Sequence, residues 1–130
     1  MGRTNLLDAV AGKPGIATRG SLRLRLAAHD VAPGTPLIVS IRPQEIALVV
    51  PERGAPAGAN ILAGTVQRTS YLGDAVDYQV RIDGSDVVLR VTLPPPARFG
   101  AGDAVTLAVA PEACVPLTGF DDGGAAAVTR

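Results

Sequence analysis

Residues 75–93 read AVDYQVRIDGSDVVLRVTL, two runs of alternating apolar and polar side chains around an Asp-Gly pair. Val76, Tyr78, Val80 and Ile82 fall on one side of the first run, and Asp77, Gln79, Arg81 and Asp83 on the other. Val87, Leu89, Val91 and Leu93 repeat the device in the second. Successive side chains of a strand point to opposite faces, so an apolar residue at every second place marks a strand with one buried face. Asp83-Gly84 tolerates the positive φ angles of a tight primed turn, which predicts a hairpin joining the two runs.

The same alternation recurs in SLRLRLA (21–27), where Leu22, Leu24 and Leu26 oppose Arg23 and Arg25, and in AVTLAV (104–109). No window of ten or more residues has comparable helical spacing. The 15 Gly and 11 Pro gather between the runs, where no ladder has to use them. The pattern predicts an all-β, mainly antiparallel domain of roughly eight or nine short strands closing into a barrel or sandwich. The domain is expected over 1–117, with 118–130 as a flexible tail.

Two related β units are expected inside it. Asn5-Leu6-Leu7 returns as Asn60-Ile61-Leu62, and GTPLIVSIRPQEIAL from Gly34 resembles GDAVTLAVAPEACVPL from Gly102. The copies would span 5–50 and 60–117, the second enlarged by a hairpin near Tyr71 to Asp83. In this register RPQE (42–45) matches APEA (110–113) at a strand end. Pro43 has no backbone donor and biases Arg42 toward extended geometry, so the ladder is expected to stop there and a new strand to begin at Ile46. Arg42 and Glu45 can pair with each other or with a neighbouring domain.

Composition excludes several functions. Twelve basic and twelve acidic residues cancel to a net charge of zero, and aromatics are 3% of the chain without any Trp. A nucleic-acid binder would need a basic groove and stacking rings, so no nucleic-acid partner is expected. One His and one Cys cannot assemble a structural zinc site. Cys114 reads as a small buried hydrophobe, and His29 as a solvated turn residue. The carboxylate pairs Asp74/Asp77, Asp83/Asp86 and Asp121/Asp122 lie in or beside Gly-containing turns, a setting that favours Asp for local hydrogen bonds. AGKPG (11–15) fails as a phosphate loop, because Leu7 stands where the first Gly is needed and Pro14 where Ser or Thr is needed. No catalytic residue, cofactor or metal is therefore assigned. MGRTNLLDAVAG (1–12) has no apolar stretch long enough for a signal sequence, and no run approaches the roughly 20 apolar residues of a membrane span.

The landmarks GRTNLL (2–7), VSIRPQEIAL (39–48), NILAGTV (60–66), SYLGDAVDYQV (70–80) and GDAVTLAVAPEAC (102–114) stand in an order and spacing that resembles the C-terminal TOBE (transport-associated OB) domain of bacterial ABC importer ATP-binding subunits. Gln44 departs from that pattern, where many members carry an acid. The resemblance implies an OB-like antiparallel barrel and a non-catalytic regulatory and dimerisation role, separated from the nucleotide-binding domain where ATP and Mg would bind. It implies as partners the ABC ATPase domain, the importer membrane subunits and a second copy in a homodimer. The implied location is cytoplasmic, peripheral to the inner membrane through the transporter complex. YLGDAVDY (71–78) is most similar to members importing polyamines or ferric iron. Arg42, Glu45, Tyr71, Asp74 and Tyr78 are the interface or ligand candidates. The alternative function is a free-standing small-oxyanion binder of the molybdate-binding kind, with Gly-rich turns supplying backbone amides.

Overall fold

The computed structural model describes residues 4–13, 15–27, 31–54 and 57–117. The strands are β1 (Asn5–Ala11), β2 (Ile16–Arg19), β3 (Leu22–Arg25), β4 (Pro36–Ile41), β5 (Ile46–Val49), β6 (Asn60–Tyr71), β7 (Val76–Ile82), β8 (Val88–Leu93), β9 (Ala104–Val109) and β10 (Val115–Leu117). Short 3-10 turns interrupt them at Pro43–Glu45, Pro51–Arg53 and Pro111–Ala113. The ten strands among the described residues slightly exceed the expected number, because a strand as short as the 3-residue β10 carries no readable alternation. They form two curled antiparallel sheets in an OB-like arrangement, ordered β10-β4-β1-β2-β3 and β5-β9-β6-β7-β8.

The two orders match strand for strand when β1–β4 are set against β6–β9 and β5 is exchanged with β10. Asn5 lies opposite Ile41 in β4, and Asn60 opposite Val109 in β9. β5 follows β4 in the chain yet pairs with β9, Ile46 facing Val109. β10 follows β9 yet pairs with β4, Val115 facing Ser40. Proline directs both departures. Arg42 before Pro43 has φ −71° and ψ 138°, and Ala110 before Pro111 has φ −65° and ψ 144°. Each proline lacks an N–H and holds its predecessor extended, so the ladder ends and the chain crosses to the other sheet.

The inner faces meet in one aliphatic core that includes Leu7, Leu24, Val39 and Ile41 of the first sheet and Val66, Val80, Val91 and Leu107 of the second. Burying each such side chain contributes on the order of 1.5–3 kcal/mol. Tyr78 is the largest fully buried side chain. Its ring meets Phe99 edge-on at 6.0 Å between centroids, and its hydroxyl accepts a 3.0 Å hydrogen bond from the Arg98 backbone N–H.

The β7–β8 hairpin differs from the expected primed turn. Ile82 N–H donates to Val87 O at 2.8 Å, leaving a four-residue loop, and Ser85 N–H donates to Ile82 O at 3.1 Å. Gly84 has φ 78°, and no described non-glycine residue has a positive φ, so Asp83 stays in the ordinary region. Ser85 decides the geometry: its hydroxyl donates to Ile82 O and accepts from Val87 N–H.

Candidate interaction site

Asparagines join the sheets at two places. Asn5 of β1 donates Nδ2 to Arg90 O at 2.9 Å and accepts at Oδ1 from Arg90 N–H at 2.8 Å. Asn60 of β6 treats Arg25 identically, with Nδ2 to Arg25 O at 2.9 Å and Oδ1 from Arg25 N–H at 2.8 Å. A primary amide offers a donor and an acceptor side by side, the pattern of a neighbouring peptide unit. β8 and β3, which carry Arg90 and Arg25, are the end strands of their sheets. Each asparagine therefore satisfies a peptide of an end strand that would otherwise present unpaired groups. Both asparagines were legible as the matching starts of the two expected β units, but their partners are 85 and 35 residues away. Local sequence carries no sign of them.

Next to Asn60 lies Cys114, 0% exposed. Burial pushes its thiol up to about 11, only partly offset by the hydrogen bond from Asn60. A thiol so held is neutral and inert, consistent with its reading as a small hydrophobe.

Asp77 corrects the turn reading of the carboxylates. It sits inside β7, 4% exposed, and Oδ2 accepts from Arg90 Nη2 at 2.7 Å and Nε at 3.2 Å. Thr92 Oγ1 donates to Oδ1 at 3.0 Å. Asp77 lies directly opposite Thr92 with Arg90 two residues away, so the outer face of β7 buries a carboxylate beneath cross-strand partners. Asp83 accepts from Thr65 Oγ1 at 3.0 Å, and Asp86 faces Arg19 at 3.6 Å on the surface. These carboxylates are separately partnered and form no acid–base pair. Asp121, Asp122 and His29 lie outside the described residues. Among those described, no three His, Cys, Asp or Glu residues come together as metal ligands.

The five candidates fall in three places. Arg42 and Glu45 are exposed and border, with Ser40 and Glu112, an open depression of about 420 Å³. Their backbones are joined at 2.9 Å, Glu45 N–H to Arg42 O, but no ion pair links their side chains. Tyr78 is taken up by the core. Tyr71 and Asp74 occupy the β6–β7 tip, which the chain builds with Gly73 at φ 83° and a 2.9 Å bond from Leu72 N–H to Ala75 O. A β-bulge between Val66 and Arg68 shifts the register of β6; beyond it the β6 residues 68–71 are exposed or half-buried, while Val76 and Tyr78 on the facing β7 stay buried. Tyr71 is 75% exposed and Leu72 53%. Two large apolar side chains at an exposed turn are suited to contact with another protein, and no enclosed chemistry surrounds them.

Residues 39–117 match the family model described as the TOBE domain. The chain belongs to the TOBE domain family. This TOBE domain is 34% identical over 100 residues to the spermidine/putrescine import ATP-binding protein PotA 1 of Pseudomonas aeruginosa, a match covering 75% of the chain and 26% of that protein. It thus spans about a quarter of the relative's length. Among solved structures it resembles the cytoplasmic molybdate-binding protein ModG in a form with molybdate bound, with a TM-score of 0.73, 14% identity, and coverage of 86% of this chain and 94% of that one. At that identity the likeness concerns the fold. Among the described residues no helix is long and apolar enough to cross a membrane.

Proposed function

We propose that this TOBE domain is a non-catalytic regulatory and dimerisation module of an ABC importer ATPase, separated from the nucleotide-binding domain that holds ATP and Mg. The 34% identity to a segment of PotA 1 carries the reading, and a polyamine-type importer is the transport system it favours. The domain would lie on the cytoplasmic side, held at the inner membrane through the importer's membrane subunits. Its action is mechanical: surface contacts hold two ATPase subunits together while their nucleotide-binding domains open and close. The buried Asp77, the separately partnered Asp83 and Asp86 and the neutral thiol suit a body that binds proteins and leaves the chemistry to another domain.

A chimera tests this. Residues 1–117 replace the matching segment of PotA 1, and spermidine uptake with coupled ATP hydrolysis is measured in vesicles. Activity well above that of a PotA 1 lacking the segment is expected; equality with that deletion, or nucleotide turnover by the isolated chain, overturns the proposal. A second reading, small-oxyanion binding, draws support from the fold shared with ModG. Calorimetric titration with molybdate, tungstate, sulfate and phosphate separates the two, since saturable heat favours the second.

A further inference from the structure

Beside the β6–β7 tip lies an open groove of about 310 Å³ lined by Leu48, Val49, Val50, Arg53, Arg98 and Phe99. Its floor is apolar, with Val50 43% exposed. Both arginines are exposed, and neither guanidinium has a hydrogen bond or ion pair among the described residues. Such a site fits an apolar side chain followed closely by a carboxylate. The tip offers that sequence, Tyr71-Leu72-Gly73-Asp74, with both apolar side chains in solvent and an exposed Asp74 carboxylate that has no partner among the described residues.

We propose that two copies of this chain pair reciprocally, the β6–β7 tip of each seated in the Arg53–Arg98 groove of the other. The inference rests on the dimerisation part of the proposed function and names its contact. The tip does not fill its own groove: Tyr71, held in the ladder opposite Val76, and Leu72 stand in solvent and do not line it. Tip and groove are nevertheless neighbours. Thr69 Oγ1 donates to Phe99 O at 3.2 Å, and Tyr71 is two residues further along the same strand, roughly 7 Å at 3.3–3.4 Å per residue. A two-fold axis between such neighbours makes both contacts at once and closes the assembly at two. Zero net charge removes any long-range repulsion between copies. Leu72 and Tyr71 supply the apolar burial, while the Asp74–arginine contacts at the rim mainly set orientation. So small a contact predicts a dimer that forms only at high protein concentration.

Sedimentation velocity over a concentration series is the test. The wild-type chain is expected to dimerise, and Tyr71→Ser with Leu72→Ser to weaken the dimer by about tenfold or more, the two apolar anchors being lost. Asp74→Arg in one chain, and Arg53→Glu with Arg98→Glu in another, should each weaken self-association, because like charges then meet twice. An equimolar mixture of these two chains should recover dimers, since every tip then meets a groove of opposite charge. All substituted residues are exposed, and unchanged circular dichroism spectra establish that the variants fold. A wild-type dimer indifferent to the substitutions, or charge-reversed chains that stay apart when mixed, overturns the reciprocal contact and leaves dimerisation standing. A wild-type chain that remains monomeric throughout overturns dimerisation itself.

Discussion

Replacing Asn60 by Ala should loosen the joint between the sheets, and the structure bounds by how much. The change removes the 2.8 and 2.9 Å hydrogen bonds with the Arg25 backbone and the 3.5 Å contact to Cys114 Sγ. Each neutral hydrogen bond has a net value of about 1 kcal/mol, and a buried peptide group left unpaired costs about 1–3 kcal/mol. Asn60 is 6% exposed, but Arg25 lies on an end strand that water can reach from outside. Partial hydration should therefore keep the total near 2–3 kcal/mol, the two lost bonds plus a fraction of the unpaired-group penalty. A small domain has about 5–15 kcal/mol in all. With a urea dependence of roughly 1–3 kcal/mol per M, the unfolding midpoint should fall by roughly 0.7–3 M. Urea titration followed by far-ultraviolet circular dichroism measures it, because the chain contains no Trp to report by fluorescence. Asn5→Ala should cost a similar amount, and because the two joints involve different strands the losses should add. A loss below about 0.5 kcal/mol for either variant would refute the view that these amides complete the end strands.

Gly64→Ala should destabilise by about 1–3 kcal/mol as over-packing, because the added Cβ would stand 2.7 Å from Val80 Cγ1 and 2.9 Å from both Arg81 O and Leu107 Cδ1; the same urea titration reads it. Arg90→Met should cost more than Asp77→Asn, since the first strands a buried carboxylate, a loss of about 3 kcal/mol or more, whereas the second leaves a half-exposed guanidinium to water; thermal melts of both variants rank them. Cys114 should make stability fall at alkaline pH. Its folded pKa of about 11 lies above the ordinary 9.0, so the unfolded chain loses the proton first: the contribution is complete below pH 9.0 and declines as pH rises toward 11. The slope should approach about 1.4 kcal/mol per pH unit, and denaturation of Cys114→Ala at the same pH values should lack that component.

Alternation was enough to read β3, β7, β8 and β9 and their inner faces, because period-two burial is a local property of β structure. Tyr78 was readable as a core residue from its place between Val76 and Val80. Tyr71 was not: it follows the bulge at Gln67 and is exposed although Val76 opposite it is buried, and the bulge has no local marker. The Pro43 corner announced the end of a strand but not its destination in the other sheet, which depends on β9, far along the chain. Its closeness to Gly73 makes Asp77 read as a residue beside a turn, whereas Arg90 and Thr92 on the facing strand determine its surroundings. Of the candidate site, the tip was visible as a turn; the groove that faces solvent beside it joins residues from β5, the turn after it and the segment before β9, and only folding brings them together.

The exchange of β5 and β10 has a consequence for any attempt to divide the molecule. A fragment ending near residue 54 would retain β5 without the β9 it needs, and one starting near 57 would retain β10 without β4. Neither fragment should be autonomous, yet mixing them should restore the barrel by complementation, each supplying the other's missing outer strand. Mutational damage in one half should accordingly be transmitted to the other as a single cooperative unfolding event.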